Sequence, residues 1–188
     1  MSAHLRYRIV ENPQEDPALQ KFSAGGIKRS DGETNALVKR LVSGRASQDF
    51  TILVVEDEEG QIAGVAGYRE RPLAFHDEVH DAIYLAVVAV DKHYRDQRLP
   101  SGETVGSSLV AGALDQIARQ AGGAVPAVWG LVQKNNHASR KLLSRHGFAP
   151  LPADEDYEIE YRPAGLPVSP PPTRRHTTLS DRENLPDS

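Results

Sequence analysis

The stretch AIYLAVVAV, residues 82–90, followed at once by DKHYRDQRLPSGETVGSSLV, residues 91–110, decides the fold. The first segment is an apolar run rich in β-branched residues, the pattern of a strand covered on both faces. It stops abruptly at a stretch of basic residues, glycines and serines. From Val105 onward Leu109, Ala113, Ile117 and Ala121 recur at helical spacing, until Gly122-Gly123 ends the helix. A strand, a loop of small residues and a helix gather backbone N–H groups at one corner. The first turn of a helix has donors with no internal partner, and its dipole favours negative charge. Gly106, Ser107 and Ser108 lack bulk, and Lys92, His93, Arg95 and Arg98 supply local positive charge. Phosphate is the guest this chemistry predicts, although an ordinary strand-to-helix turn has the same composition. A nucleoside-triphosphatase loop is excluded: Gly102 and Gly106 are one residue too close, and Ser107 stands where lysine is required. The dinucleotide pattern G-x-G-x-x-G is also absent.

Working outward, Leu5 to Val10 alternates as a first strand. Asp16-Pro17 starts a short helix that Gly25-Gly26 ends. A second helix begins near Thr34, carries Leu37, Val38, Leu41 and Val42, and stops at Gly44. FTILVV and IAGVAGYRE read as two strands joined by an acidic turn. Beyond the central helix, AVWGLVQ is a strand, Asn136 or His137 opens a helix closing at Gly147, and YEIEY is the last strand. After Arg162 the chain holds six of its 13 prolines and few large apolar residues. The expected organisation is therefore one domain over residues 1–162 and a proline-rich, disordered tail over 163–188. Pro167 and Pro170 have the spacing of a polyproline ligand, but a solvated tail explains them as well.

A hydrophobic content of 39% and 26% charged residues fit a soluble globular protein, for which a cytoplasmic location is the default expectation. The net charge of −4 argues against a general nucleic-acid binder, and no apolar run is long enough to span a membrane. With no cysteine there is no disulfide, thiolate metal site or cysteine nucleophile. His76 and His80 have the i, i+4 spacing of a zinc helix, but HDEVHD is short and lies between strands, so it reads as a charged loop and no metal is expected.

The order YLAVVAV, DKHYRDQ…TVGSSLV, VWGLV and NNHASRKLLSRHGF resembles the GCN5-related N-acetyltransferase (GNAT) superfamily. Its phosphate loop follows the fourth strand. Its second signature, N-x-x-A with G-F nine and ten positions after the alanine, is met by Asn135, Ala138, Gly147 and Phe148. The resemblance implies an α/β fold with a mixed, mostly antiparallel sheet, helices on both faces, and a splay between the fourth and fifth strands. It implies acetyl-CoA as co-substrate. Val88, Ala89 and Val90 would pair their backbone with the pantetheine arm. Arg95, Asp96, Gln97, Val105, Gly106, Ser107 and Ser108 would surround the pyrophosphate, and Asn135 would bond the ligand further along. Two departures stand out. Residues 98–103, RLPSGE, are inserted in a loop that is compact in the family, and Leu143 occupies the position where many members carry an acid tyrosine.

An amine attacks a thioester only when neutral, and a lysine-like amine is neutral in roughly one molecule in a few thousand at pH 7. A base is therefore expected, and Glu70, Asp81 and Tyr84, at the ends of the third and fourth strands, are the candidates. With no cysteine for a covalent intermediate, direct transfer in a ternary complex follows. The expected acceptor is an amine on a small molecule, a peptide N-terminus or a lysine, with no nucleic acid and no membrane as partner and a homodimer left open. The lost tyrosine supports an alternative: a CoA-binding module that performs no chemistry and serves a regulatory or partner-binding role. A weaker reading is a scaffold that acts through its tail.

Overall fold

The computed structural model describes residues 5–25, 29–45, 49–95, 97–152 and 156–168. A seven-stranded sheet runs in the order β1-β2-β3-β6-β7-β9-β8. The strands are β1 (Arg6–Val10), β2 (Thr51–Glu56), β3 (Ile62–Glu70), β6 (Ile83–Val90), β7 (Val128–Gln133), β8 (Ala149–Pro152) and β9 (Tyr157–Arg162). A separate two-stranded hairpin, β4 (Leu73–Phe75) with β5 (Glu78–His80), lies between β3 and β6. Every pairing in the main sheet is antiparallel except that of β6 with β7. This is the expected mixed, mostly antiparallel sheet.

The apolar run in β2 has no polar alternation because both of its faces are covered. Ile52 and Val54 pack with Leu19 of α1 (Pro17–Lys21) and with Val38 and Leu41 of α2 (Arg29–Val42). Leu53 and Val55 point the other way, onto Val105, Leu109 and Ala113 of α3 (Val105–Gln120). The period of two thus splits one apolar string between two cores. Further along α3, Val110, Leu114 and Ile117 join Leu143 of α4 (His137–Ser144) and Phe148 over Leu85, Val128 and Val132. So α1 and α2 cover one face, and α3 and α4 the other.

Local chemistry sets the starts of α1, α3 and α4 where the sequence predicts, whereas α2 starts at Arg29, five residues before the expected Thr34. Asp16 caps α1 by accepting Leu19 N–H at 2.8 Å, with Pro17 at the first position. Thr104 caps α3 and Asn136 caps α4, each accepting the amide three residues on. The stretch around HDEVHD differs from the expected loop: His76 and Asp77 take positive φ and form a two-residue turn that pairs β4 with β5. His80 therefore lies on a strand. Among the described residues no three His, Cys, Asp or Glu side chains gather closely enough to hold a metal ion, and no helix is long and apolar enough to cross a membrane.

Beyond β9 the chain stays against the domain as far as Val168. Arg162, 1% exposed, donates to the carbonyls of His146, Leu166 and Pro167, Gly165 N–H bonds Val125 O, and Val168 packs on the α3–α4 core. Pro170 and the rest of the expected tail lie outside the described residues.

Candidate active site in the cleft between β6 and β7

The parallel strands β6 and β7 pair only at Ile83 with Val128 and Tyr84 with Trp129. Beyond that point they part, which is the splay expected between the fourth and fifth strands. Two backbone features produce it. The β3–β6 register skips Ala86, a bulge that bends β6. On β7, a Cβ on Gly130 would stand 2.9 Å from Leu85 O, so only glycine lets the strands touch at the apex of the V. A cavity of about 400 Å³ fills the opening. It passes from the α4 face, where Asn136, Ser139, Leu142 and Leu143 line it, to the α2 face, lined by Glu33, Thr34, Leu37 and Arg40.

Strand parity decides which of the pantetheine-pairing residues can serve. Asp91 N–H bonds Ala63 O, and Ala89 O lies against Gly64, so residues 87, 89 and 91 turn their backbone groups to β3. Ala89 is therefore spent inside the sheet, a correction to the expected trio. Val88 and Val90 face the open edge. The carbonyl of Val90 is approached by Arg95 Nε at 3.5 Å, which leaves Val88 as the freest edge residue.

The phosphate corner is tighter than the sequence implied. The Arg95 guanidinium closes on Asp31 at 2.6 Å and on Ala24 O, tying the loop to the start of α2. Asp96 lies outside the described residues. Gln97 donates its N–H to Tyr94 O and its side-chain amide to His93 O. The inserted RLPSGE folds into a miniature hairpin: Arg98 bridges Thr104, Leu99 N–H bonds Glu103 O, and Gly102 takes a φ of +86° at the turn. The insertion thus satisfies its own backbone groups. In α3, Ser107 N–H goes to the Thr104 hydroxyl and Ser108 N–H to Thr104 O. Their hydroxyls bond His146 Nε2 and Tyr7 respectively. What remains for an anion is the pair of first-turn amides, Val105 and Gly106, which no helix can satisfy internally. Gly106 is buried beneath Leu142 Cδ2 and Val90 Cγ2, 3.4 and 3.5 Å from where its Cβ would stand.

The three expected bases separate. Tyr84 lines the cleft, with its ring 4.5 Å from Trp129 and the Arg71 guanidinium 5.1 Å above it. Burial raises its pKa, against the pull of Arg71 and Arg69, so the phenol stays protonated. Glu70 and Asp81 are exposed and line a different hollow, beyond the closed end of the V. Asn135 is exposed in the turn before α4, and its neighbour Asn136 lines the cavity. Leu143 is buried in the core at the inner wall, with no hydroxyl to offer.

The carboxylate that lines the cleft was not singled out in the sequence. Glu33 accepts from Gln133 at 3.0 Å and from the Tyr157 hydroxyl at 3.1 Å, closing one end of the cavity with groups from α2, β7 and β9. The signal for this wall was spacing: Glu33, Leu37 and Arg40 stand at i, i+4 and i+7, one face of a helix.

A family model for the acetyltransferase (GNAT) family matches residues 29–148. Among solved structures, a mutant AtaT toxin bound to the C-terminus of the antitoxin AtaR aligns with a TM-score of 0.62 and 20% identity, over 85% of this chain and 92% of that one. AtaT complexed with acetyl-methionyl-tRNAfMet aligns at 0.60 and 18%, over 85% and 95%. The PaiA N-acetyltransferase from Thermoplasma acidophilum, in complex with coenzyme A, aligns at 0.55 and 14%, over 84% and 99%. No curated protein sequence matches the chain. Because AtaT was solved with a tRNA, this fold does not carry the expectation that nucleic acid is excluded as a partner. Fold and enzyme class, an acetyl-CoA-dependent N-acetyltransferase, stand as expected. With a family match over more than half its length, and a sheet that parts between the two strands where the resemblance implied a splay, the chain belongs to the GNAT acetyltransferase family.

Proposed function

We propose that the cleft transfers an acetyl group from acetyl-CoA to a primary amine, directly and without a covalent enzyme intermediate. The observation that carries this reading is the cavity that runs through the sheet between β6 and β7. It gives two reactants separate entrances. The diphosphate belongs on the α3–α4 face, at the first-turn amides of Val105 and Gly106, with the Leu142 side chain moving aside. The pantetheine arm lies along the open edge at Val88, and the thioester reaches the apex near Ala86. The amine then enters from the α2 face.

In the reaction the amine nitrogen attacks the thioester carbonyl, the C–N bond forms and the C–S bond breaks. The products are an acetamide and CoA, whose thiolate takes up a proton as the amine gives one off. Edge N–H groups near the bulge polarise the carbonyl oxygen. Tyr84, held protonated by burial, is a donor rather than a base. Glu33, the carboxylate on the cavity wall, is placed to take the amine proton through water. The chain has no cysteine for a ping-pong route.

Calorimetry with acetyl-CoA followed by thiol release over an amine panel tests the proposal. Binding with release of CoA by at least one amine is expected, and absence of binding at about millimolar ligand sinks it. A second reading, a CoA-binding module without turnover, is favoured by the buried Leu143 and by the loop amides already satisfied within the protein. It predicts binding with no thiol release from any amine class.

A further inference from the structure

Resting on the acyl-transfer reading, we propose that the α2 face of the cleft takes an amine that also carries an anionic group, held by Arg40 and Arg71. The chain as a whole is acidic, with a net charge of −4, whereas the charged side chains lining the cleft are one of each sign, Glu33 and Arg40. Arg40 lines the cavity on α2, is exposed, and forms no ion pair among the described residues. Arg71 is likewise exposed and forms no ion pair among them; it borders the hollow of Glu70 and Asp81, and it reaches the cleft through its guanidinium, 5.1 Å from the ring centre of the cleft residue Tyr84 and 5.4 Å from that of Trp129. Stacking on two rings holds the charge in place without neutralising it. Arg69, stacked on Phe50 at 4.8 Å, lines the same hollow as Arg71. Among the described residues Glu33 is the one carboxylate lining the cleft, and it already accepts two hydrogen bonds, while Asp49, Glu70 and Asp81 line the neighbouring hollow.

A polyamine or an aminoglycoside would meet Arg40 and Arg71 with like charge. An α-amino acid or a phosphorylated amine would place its nucleophile at the apex and its anion on a guanidinium. Carboxylate and phosphate share the geometry that arginine binds in two-pronged fashion. Because the arginines contact the acceptor at a distance from the reacting atoms, they bind ground state and transition state alike. Their loss should therefore appear in KM and not in kcat.

The test uses matched acceptors that differ only in the anion: glycine against glycinamide, methionine against its amide, and phosphoethanolamine against ethanolamine, each with acetyl-CoA. The anionic member of at least one pair is expected to have a kcat/KM about tenfold higher, with the first two pairs reporting carboxylate and the third phosphate. Arg40→Gln should erase that preference through KM, and Arg40→Lys should restore part of it. A better rate with the neutral members, or a preference untouched by Arg40→Gln, overturns the proposal. A second readout does not depend on turnover. Trp129 is the chain's one tryptophan and lies under Arg71, so its fluorescence reports this face. In the presence of CoA, N-acetylglycine should quench it at lower concentration than N-acetylglycinamide, and equal titrations overturn the proposal even if no amine is turned over. Failure of every acceptor despite this selectivity would instead reject acyl transfer.

Discussion

The two faces of the β6–β7 cleft are built on different principles. The α3–α4 face offers backbone: two helix-end amides and a strand edge. The α2 face offers side chains: Leu37 and Arg40 from a helix, with Tyr84 below them. Backbone recognition needs glycine, small residues and fixed spacing, so it leaves a motif. Side-chain recognition needs only particular residues on a helix face, and many sequences satisfy that. The lesson is that the co-substrate side of this fold is written in spacing, and the acceptor side in chemistry that spacing does not show.

The comparison breaks most directly at Gly106. Glutamate there would place a carboxylate on the first-turn amides and repel the diphosphate, raising the acetyl-CoA Kd by about 100-fold, or ~2.7 kcal/mol. Alanine at the same position would meet Leu142 and Val90 at 3.4 and 3.5 Å, ordinary contact distances, and should bind within a few-fold of the native protein. Arg40→Gln, on the other face, should leave this Kd unchanged. Calorimetry on the three variants checks all of it. Native-like binding by Gly106→Glu would falsify the placement of the diphosphate.

A second test addresses the apex that separates the faces. Alanine at Gly130 drives its Cβ to 2.9 Å from a backbone oxygen of β6, which no rotamer change relieves. A loss of about 1–3 kcal/mol in denaturant unfolding is expected, together with loss of turnover. Leu131→Ala is the control one residue away. Leu131 is 45% exposed, so the change should stay within about 0.5 kcal/mol.

Leu143 tests whether the backbone face also lacks something. Tyrosine at this buried wall position would bring a hydroxyl into the cleft. An unperturbed thiol titrates near about pH 8.5, so the CoA thiolate leaves tolerably without help. The expected gain in kcat is therefore under about tenfold, with acetyl-CoA affinity little changed. A larger gain in a pH–rate profile would mean that departure of the thiolate limits the native protein.

How much of this was legible follows from the same contrast. The strand at 82–90, the helix from Val105 and the turn before α4 are encoded locally, by apolar period, capping residues and glycine. The hairpin at 73–80 was missed because its two strands are three residues each and its turn uses His76 and Asp77, not the Asn-Gly signal. Edge strand β8 was missed because Pro150 and Pro152 argue against a strand, yet prolines are tolerated on an edge. Ala89 could be told from Val88 only once β3 was in place, since parity against a neighbour is not a property of one strand. Glu70 and Asp81 were named from position along strands, and the sheet carries both to the wrong side of the apex. The engagement of Arg95 by Asp31 joins residues 64 positions apart, beyond any local pattern.

The smallest effect sharpens the comparison through acid. His146 is buried under the backbone face, with Nε2 3.1 Å from the Ser107 hydroxyl and Nδ1 without a partner among the described residues. Burial holds its imidazole below the ordinary histidine range, and the nearby charges of Arg162 and Arg145 lower it further. A neutral ring can donate from Nε2 to Ser107 and leave Nδ1 as a bare acceptor. Protonation would put a buried N–H with no acceptor beside two arginines. The sign follows: below the unfolded value the unfolded chain binds the proton more readily, so stability is full above about pH 6.5 and falls as acid approaches the folded value. Ser107 lies in the first turn of α3, so disturbing this pair should weaken acetyl-CoA binding over the same range while the α2 face is unaffected. Thermal melts and calorimetry between about pH 8 and pH 5.5 should show both losses together, and His146→Gln, which keeps a donor for Ser107 but does not titrate, should flatten both. If the variant's melting temperature and affinity decline with acid as steeply as the native protein's, the pH dependence arises elsewhere and His146 is only a packing residue.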